Sequence, residues 1–235
     1  NVLEAARRAE VERAVYTASV VGLGRPEPGR IADESARYDA WDLNFHYSRS
    51  KHLSMLTAFD FANWGLDVRV VSPAVVFGPG DVGPTPSGKI ILAVCAGKAP
   101  AYSAGGLSYV DVRDAARVHV LAAEKGTRGR MYIASGHRIE NREFLATIAR
   151  VHDRPLPRPI RIPAAVTHAV VRAVASATKA LGKEPEITPE LIAYNARAGY
   201  YSNSRAVAEL GATFRPIDET IRDAIAYFRG RSLVA

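Results

Sequence analysis

The chain has 235 residues, 48% of them hydrophobic, and carries 31 Lys and Arg against 24 Asp and Glu for a formal charge of +7. That suffices for the core of one large domain or two small ones. A single cysteine, Cys95, excludes an internal disulfide framework and a cysteine-based metal cluster, so no metal is expected and a cytoplasmic setting is.

The opening run, residues 2–8, is the body of a helix with only Asn1 available to cap it, so the sequence reads as a piece of a longer polypeptide. The 235 residues contain no signal-peptide pattern, and none is expected. Residues 14–19 form a short apolar run ending in small hydroxyl side chains, a buried strand that delivers Ser19 to the carboxyl edge of a sheet. In open α/β sheets that edge is where ligands bind. Residues 25–42 read as a loop. A helix follows over 47–63, where Leu53, Leu56, Phe59 and Ala62 recur at helical intervals.

Tyr47 and Lys51 are four apart on that helix and share a face. On its own such a pair is usually a solvated one. Its chemical use is that an ammonium beside a phenol stabilises the phenolate, which lets the ring exchange a proton with a substrate oxygen. Residues 66–73 form the next strand, completing a βαβ unit with a right-handed crossover and a parallel sheet. Two glycine- and proline-rich turns, 78–81 and 83–88, lead to helix 90–96, strand 109–112, helix 115–125 and strand 130–134. Asp111 and Asp114 are expected to be cap and loop acceptors, and His119 a packed core histidine. The remainder reads as helices over 141–152, 164–181, 189–198 and 218–229, with 164–181 expected as a core helix.

No apolar run reaches the ~18 residues of a membrane span. The nearest, 164–181, is interrupted by His168, Arg172 and Lys179. The positive charge invites a nucleic-acid partner, but acids accompany the bases at Glu10/Glu12, Asp33/Glu34 and Glu184/Glu186. The densest basic stretch, Arg154, Arg158 and Arg161, is spaced by prolines. A solvated Arg-rich surface, with no nucleic-acid partner, is the expectation.

Five motifs in order resemble the extended short-chain dehydrogenase/reductase family, the NAD-dependent epimerase/dehydratases. They are the serine-bearing strand Val15-Tyr16-Thr17-Ala18-Ser19, the Tyr47-x-x-x-Lys51 pair, and the nicotinamide-side segment 70–81, with Ser72 where the family usually has Asn. The fourth and fifth are 109–116 and the closing Asn203-Ser204-Arg205-Ala206-x-x-Glu209-Leu210-Gly211. Within the family the chain is most similar to dihydroflavonol-reductase-like proteins and the hopanoid-associated sugar epimerase group.

The resemblance implies an α/β fold: the carboxyl-terminal part of a Rossmann-like doubly wound parallel sheet plus a smaller, mostly helical substrate-binding portion. Residues 1–80 would be the second half of the Rossmann-like domain. Residues 81–235 would be mainly substrate-binding, with about 105–135 returning to the sheet. It further implies that Tyr47 is the acid/base and also a cofactor contact, that Lys51 holds the phenolate and the cofactor ribose, and that Ser19 donates to the substrate oxygen. Pro73, Ala74, Val75 and Val76 would wall the nicotinamide of NAD or NADP. Likeness to reductases inclines the choice to NADP. A small-molecule substrate of sugar or ketone/alcohol type and a homodimer through the Tyr47 helix are implied as well.

Two departures qualify this. No Gly-rich G-x-x-G-x-x-G turn is present to cradle a pyrophosphate, so the amino-terminal dinucleotide-binding half is expected to be absent and the 235 residues alone inactive. Nucleotide-sugar epimerases usually carry an Arg just before the element matching Tyr109, where Leu107 and Ser108 stand here. The competing expectation is a non-catalytic dinucleotide-binding or remnant protein of the same fold.

Overall fold

The computed structural model describes residues 1–27, 30–98, 102, 104–153, 159–182, 185, 188–195 and 199–234. Arg154, Arg158, Glu184, Glu186 and the end of the helix expected to reach 198 lie outside them. In chain order the elements are α1 (Val2–Arg8), β1 (Ala14–Thr17), a single 3-10 turn (Val20–Gly22), β2 (Ile31–Ala32), α2 (His46–Asn63), β3 (Val68–Pro73) and β4 (Val75–Phe77). Then come α3 (Pro86–Cys95), β5 (Gly106–Asp111), α4 (Val112–Lys125), β6 (Met131–Ala134), β7 (His137–Glu140) and α5 (Asn141–Val151). The last are α6 (Ala164–Ala180), α7 (Pro189–Asn195), β8 (Tyr200–Tyr201), α8 (Ser204–Leu210) and α9 (Ile217–Gly230).

The period of two along β3 and β6 sets the architecture. Val68, Val70, Met131 and Ile133 point to one side, where they pack with Met55, Ala58 and Phe61 of α2. Val71, Tyr132 and Ala134 point to the other, against Val118 and Leu121 of α4 and Leu210 of α8. β3 lies between β1 and β6 and runs parallel to both. A parallel sheet buried on both faces is made of such continuous apolar strands.

The expectation of an absent amino-terminal Rossmann-type half is therefore corrected. The Rossmann-type sheet β1-β3-β6 stands in the structure, and its first strand follows directly on α1. The glycine pattern sought in the sequence is a phosphate-binding device. What assembles the sheet is apolar surface on both faces of its strands, and the sequence carries that surface without the glycine motif.

A second sheet orders β4-β5-β7, with β5 parallel to β4 and antiparallel to β7. Its core is aromatic. Tyr109 and Phe144 stack with centroids 4.4 Å apart, and Phe77 meets both edge-on. Ile91 of α3 and Ile221 and Phe228 of α9 complete the cluster. A short parallel pair, β2-β8, links residues 31–32 to 200–201. None of the described helices is long and apolar enough to cross a membrane. α6 departs from the core helix expected: Ala175 is buried, but Val166, Val170 and Val174 are exposed. Its small apolar residues recur on every side, so composition alone could not say which side faces inward.

α4 begins earlier than the sequence suggested because Asp111 caps it, accepting the Arg113 backbone N–H at 2.8 Å. Arg113 returns a two-pronged contact to the same carboxylate at 3.0 and 2.7 Å and reaches Asp223 of α9 at 2.7 Å. Asp114 accepts the Arg215 backbone N–H at 2.9 Å. Both aspartates are thus the structural acceptors expected. Burial pushes the Asp111 carboxyl up, but the hydrogen bonds from Arg113 outweigh it and hold the group below its ordinary value of 3.8. A carboxylate depressed in the folded state contributes stability above its unfolded value and loses it as pH falls through the folded one. Urea midpoints should fall between pH 5 and pH 3, and Arg113→Ala should flatten that fall.

β6 is a sheet edge, and Glu34 covers it. The Glu34 carboxylate accepts the Ile133 N–H at 3.0 Å, with the Arg205 guanidinium 3.7 Å away. An edge strand's free amides need such an acceptor.

Candidate active site

Ser19 lies two residues beyond the end of β1 and caps the 3-10 turn. Ala18 donates its N–H to Val71 at 2.8 Å, continuing the pairing with β3, so Ser19 lies at the carboxyl edge beside the end of that strand. The chain then turns back through the 3-10 turn, and three contacts clamp this turn to α2. Ser48 Oγ donates to the Val21 carbonyl at 2.8 Å, and His52 Nδ1 to the Gly22 carbonyl at 2.9 Å. Gly22 itself lies so close to α2 that a Cβ there would sit 3.0 Å from the Lys51 carbonyl carbon and the His52 nitrogen. A side chain there would force the turn and helix backbones apart by a few tenths of an ångström, and glycine avoids that.

Tyr47 and Lys51 emerge from the first turns of the same helix. Tyr47 is 54% exposed. The Lys51 ammonium lies 6.0 Å from the Tyr47 ring centroid, and no carboxylate among the described residues forms an ion pair with it. An exposed phenol beside an unpaired ammonium suits proton exchange with a ligand and hydrogen bonding to ribose hydroxyls. Ser19 Oγ accepts the Val21 N–H at 3.3 Å. A hydroxyl has two acceptor lone pairs and one donor, so this bond orients Oγ and leaves its O–H to donate outward.

Pro73 ends β3 and is buried. Ala74 donates its N–H to Ala134 at 2.9 Å, and Val75 and Val76 open β4, half-buried. These four residues make an apolar ledge where the two sheets part. Ser72 is turned away, its Oγ donating to Met131 Sδ at 3.1 Å in the core. His46 is exposed at the start of α2. His119 ties α4 to β1, Nδ1 donating to the Ala115 carbonyl at 2.7 Å and Nε2 lying 2.9 Å from Thr17 Oγ1. Among the described residues no group of three or more His, Cys, Asp or Glu is placed to hold a metal.

Several residues that position the site had no signal in the sequence. Tyr38 reaches Ser48 at 3.0 Å and stacks on His52 with centroids 4.3 Å apart. Tyr194 donates to the Val21 carbonyl at 3.3 Å and Tyr201 to the Gly24 carbonyl at 3.2 Å. Burial pushes the Tyr194 phenol up and that of Tyr201 up to about 12. Both stay protonated donors at neutral pH, unlike a phenol meant for acid/base work. Tyr194 and Tyr201 lie 173 and 177 positions from the carbonyls they hold, beyond the reach of any local pattern.

The NAD dependent epimerase/dehydratase family matches residues 1–134. A Synechocystis sp. protein assigned as a dihydroflavonol 4-reductase is 34% identical over 238 residues, covering 100% of this chain and 69% of its own. Sterol demethylase protein B of Methylococcus capsulatus is 28% identical, covering 99% of this chain and 71% of its own. The crystal structure of a nucleoside-diphosphate-sugar epimerase from Pseudomonas aeruginosa superposes with a TM-score of 0.82 at 26% identity, over 99% of this chain and 72% of that one. The chain belongs to the NAD dependent epimerase/dehydratase family, the extended short-chain dehydrogenase/reductase type of oxidoreductase.

Proposed function

We propose that the protein is an NADP-dependent reductase of a ketone, or the corresponding alcohol dehydrogenase, acting on an apolar, ring-bearing small molecule. One observation carries this: the turn that follows Ser19 is clamped to the helix bearing the exposed Tyr47 and Lys51, which has no ion-pair partner among the described residues. Structures of this fold have been solved with NADPH and with NAD. The nicotinamide, when bound, supplies the hydride chemistry. Pro73, Ala74, Val75 and Val76 would hold its ring, and Lys51 the ribose hydroxyls. Tyr47 gives a proton to the carbonyl oxygen, or takes it from the alcohol in the reverse direction. Lys51 stabilises the phenolate left behind, and Ser19 donates to the same oxygen as charge develops there.

The likeness to a dihydroflavonol 4-reductase and to a sterol demethylase component favours a ketone on an apolar ring system. A nucleotide-sugar epimerase is the second reading, favoured by the likeness to the P. aeruginosa enzyme. The position that would pair with a diphosphate weighs against it. Leu107 packs on the core, and Ser108 is buried with its Oγ accepting the Tyr201 N–H at 2.9 Å. The assay that separates the two follows absorbance at 340 nm with flavanone and steroid ketones and with UDP-sugars. A reductase consumes NADPH in proportion to product. An epimerase inverts a sugar with no net change. Binding of NADPH with neither outcome would favour the non-catalytic relative. The inactivity expected of this chain rested on the absent half, and the same assay measures it.

A homodimer through α2 belongs to the same proposal. Leu53 and Trp64 are both exposed and fall within about 20° of each other around that helix. Leu53→Asp should convert a dimer to a monomer in sedimentation velocity, with no change in helix content.

A further inference from the structure

Beside α2, a cleft of about 420 Å³ opens between that helix, the beginning of β6 and residues 34–38. Its volume falls in the range of small-molecule sites, ~300–1,000 Å³. It is separate from the candidate active site. Arg130 and Met131 line it at the amino end of β6, whereas Ser19 and Pro73 lie at carboxyl ends.

The floor is buried apolar surface from Leu23, Met55 and Met131. Phe59 and the Tyr38–His52 stack form its walls, and Leu56, 42% exposed, its lip. Thioethers and aromatic faces of this kind favour a flat ring over an aliphatic chain.

The rim is cationic. Arg37, Arg130 and Arg205 all face the cleft. Arg130 pairs with Glu209 at 2.8 Å, and Arg205 is shared between Glu34 and the Met131 carbonyl. Arg37 is exposed, and no carboxylate among the described residues pairs with it. Glu34 is the acid in the lining, and its carboxylate is held by the Ile133 N–H and Arg205. An unpaired guanidinium above an apolar, aromatic-walled floor matches one ligand class, a planar ring bearing a carboxylate.

The geometry points to this cleft as a binding site for an aromatic monocarboxylate, distinct from the substrate of the Tyr47 site. The probe is 2-naphthoate, with methyl 2-naphthoate as a control that keeps the ring and removes the charge. In isothermal titration 2-naphthoate should bind saturably at one site per chain, and the ester at least about tenfold more weakly. Arg37→Glu should weaken 2-naphthoate about tenfold and leave the ester unchanged, and Leu56→Asp should weaken both. Methyl resonances of Met55, Leu56 and Met131 should shift on binding, in the presence or absence of saturating NADPH. Equal affinity for acid and ester, no effect of Arg37→Glu, or 2-naphthoate competing with NADPH would overturn the assignment. None of these variants touches Ser19, Tyr47 or Lys51, so failure of the proposed reductase activity leaves this result standing on its own.

Discussion

Replacing Tyr47 by Phe is expected to lower turnover of the proposed ketone reduction by at least about 100-fold, the lower end for loss of a general acid. The ring stays, so its contact with Phe45, centroids 5.9 Å apart, survives. Because the phenol is exposed and no protein hydrogen bond to it is seen among the described residues, stability should stay within about 0.5 kcal/mol of wild type. Cofactor affinity should change little, since the proposed ribose contact is made through Lys51 and the Tyr47 ring is kept. The loss should therefore appear in kcat, with KM nearly constant, as for an interaction made only in the transition state. Near-normal turnover in Tyr47→Phe would remove the acid/base assignment, whatever the cofactor affinity.

Gly22→Ala should have the second large effect, for a geometric reason. The added Cβ would lie 3.0 Å from the Lys51 carbonyl carbon and the His52 nitrogen, and both are helix backbone. Neither can move alone, so the turn and α2 must separate. Overpacking of this kind costs about 1–3 kcal/mol, measurable as a lower urea midpoint. The separation also breaks the register between Ser19 on the turn and Tyr47 on the helix. Turnover should fall more than stability predicts, and a stabilising solute that restores the fold should not restore the rate. If Gly22→Ala has wild-type turnover, the turn does not position Ser19.

The proposed site rests on local signals. Tyr47 and Lys51 lie four apart on one helix, and Ser19 ends an apolar run, so spacing and strand polarity are enough to nominate them. The clamp was not legible. Ser48, His52 and Gly22 look like ordinary helix and turn residues until the close approach of two backbones gives them partners. Tyr194 meets the same turn from 173 positions away. For the fold, the long periodic segments were read correctly, as with α2 and β3. The two-residue strands β2 and β8 carry no periodicity to read. Residues 1–134 showed the opposite failure. The absence of a glycine motif bears on phosphate binding, whereas the continuous apolar strands that build the sheet stand in the sequence.

The central claim is that Ser19, Tyr47 and Lys51 share one site with the ledge at Pro73 to Val76. The most direct measurement is nuclear Overhauser spectroscopy of the protein with NADPH. Contacts from the nicotinamide C4 hydrogens to the Tyr47 ring and to the Val75 and Val76 methyls are predicted, and Lys51→Met should weaken them together. NADPH bound with its nicotinamide contacts elsewhere, or no NADPH bound at all, would contradict the account.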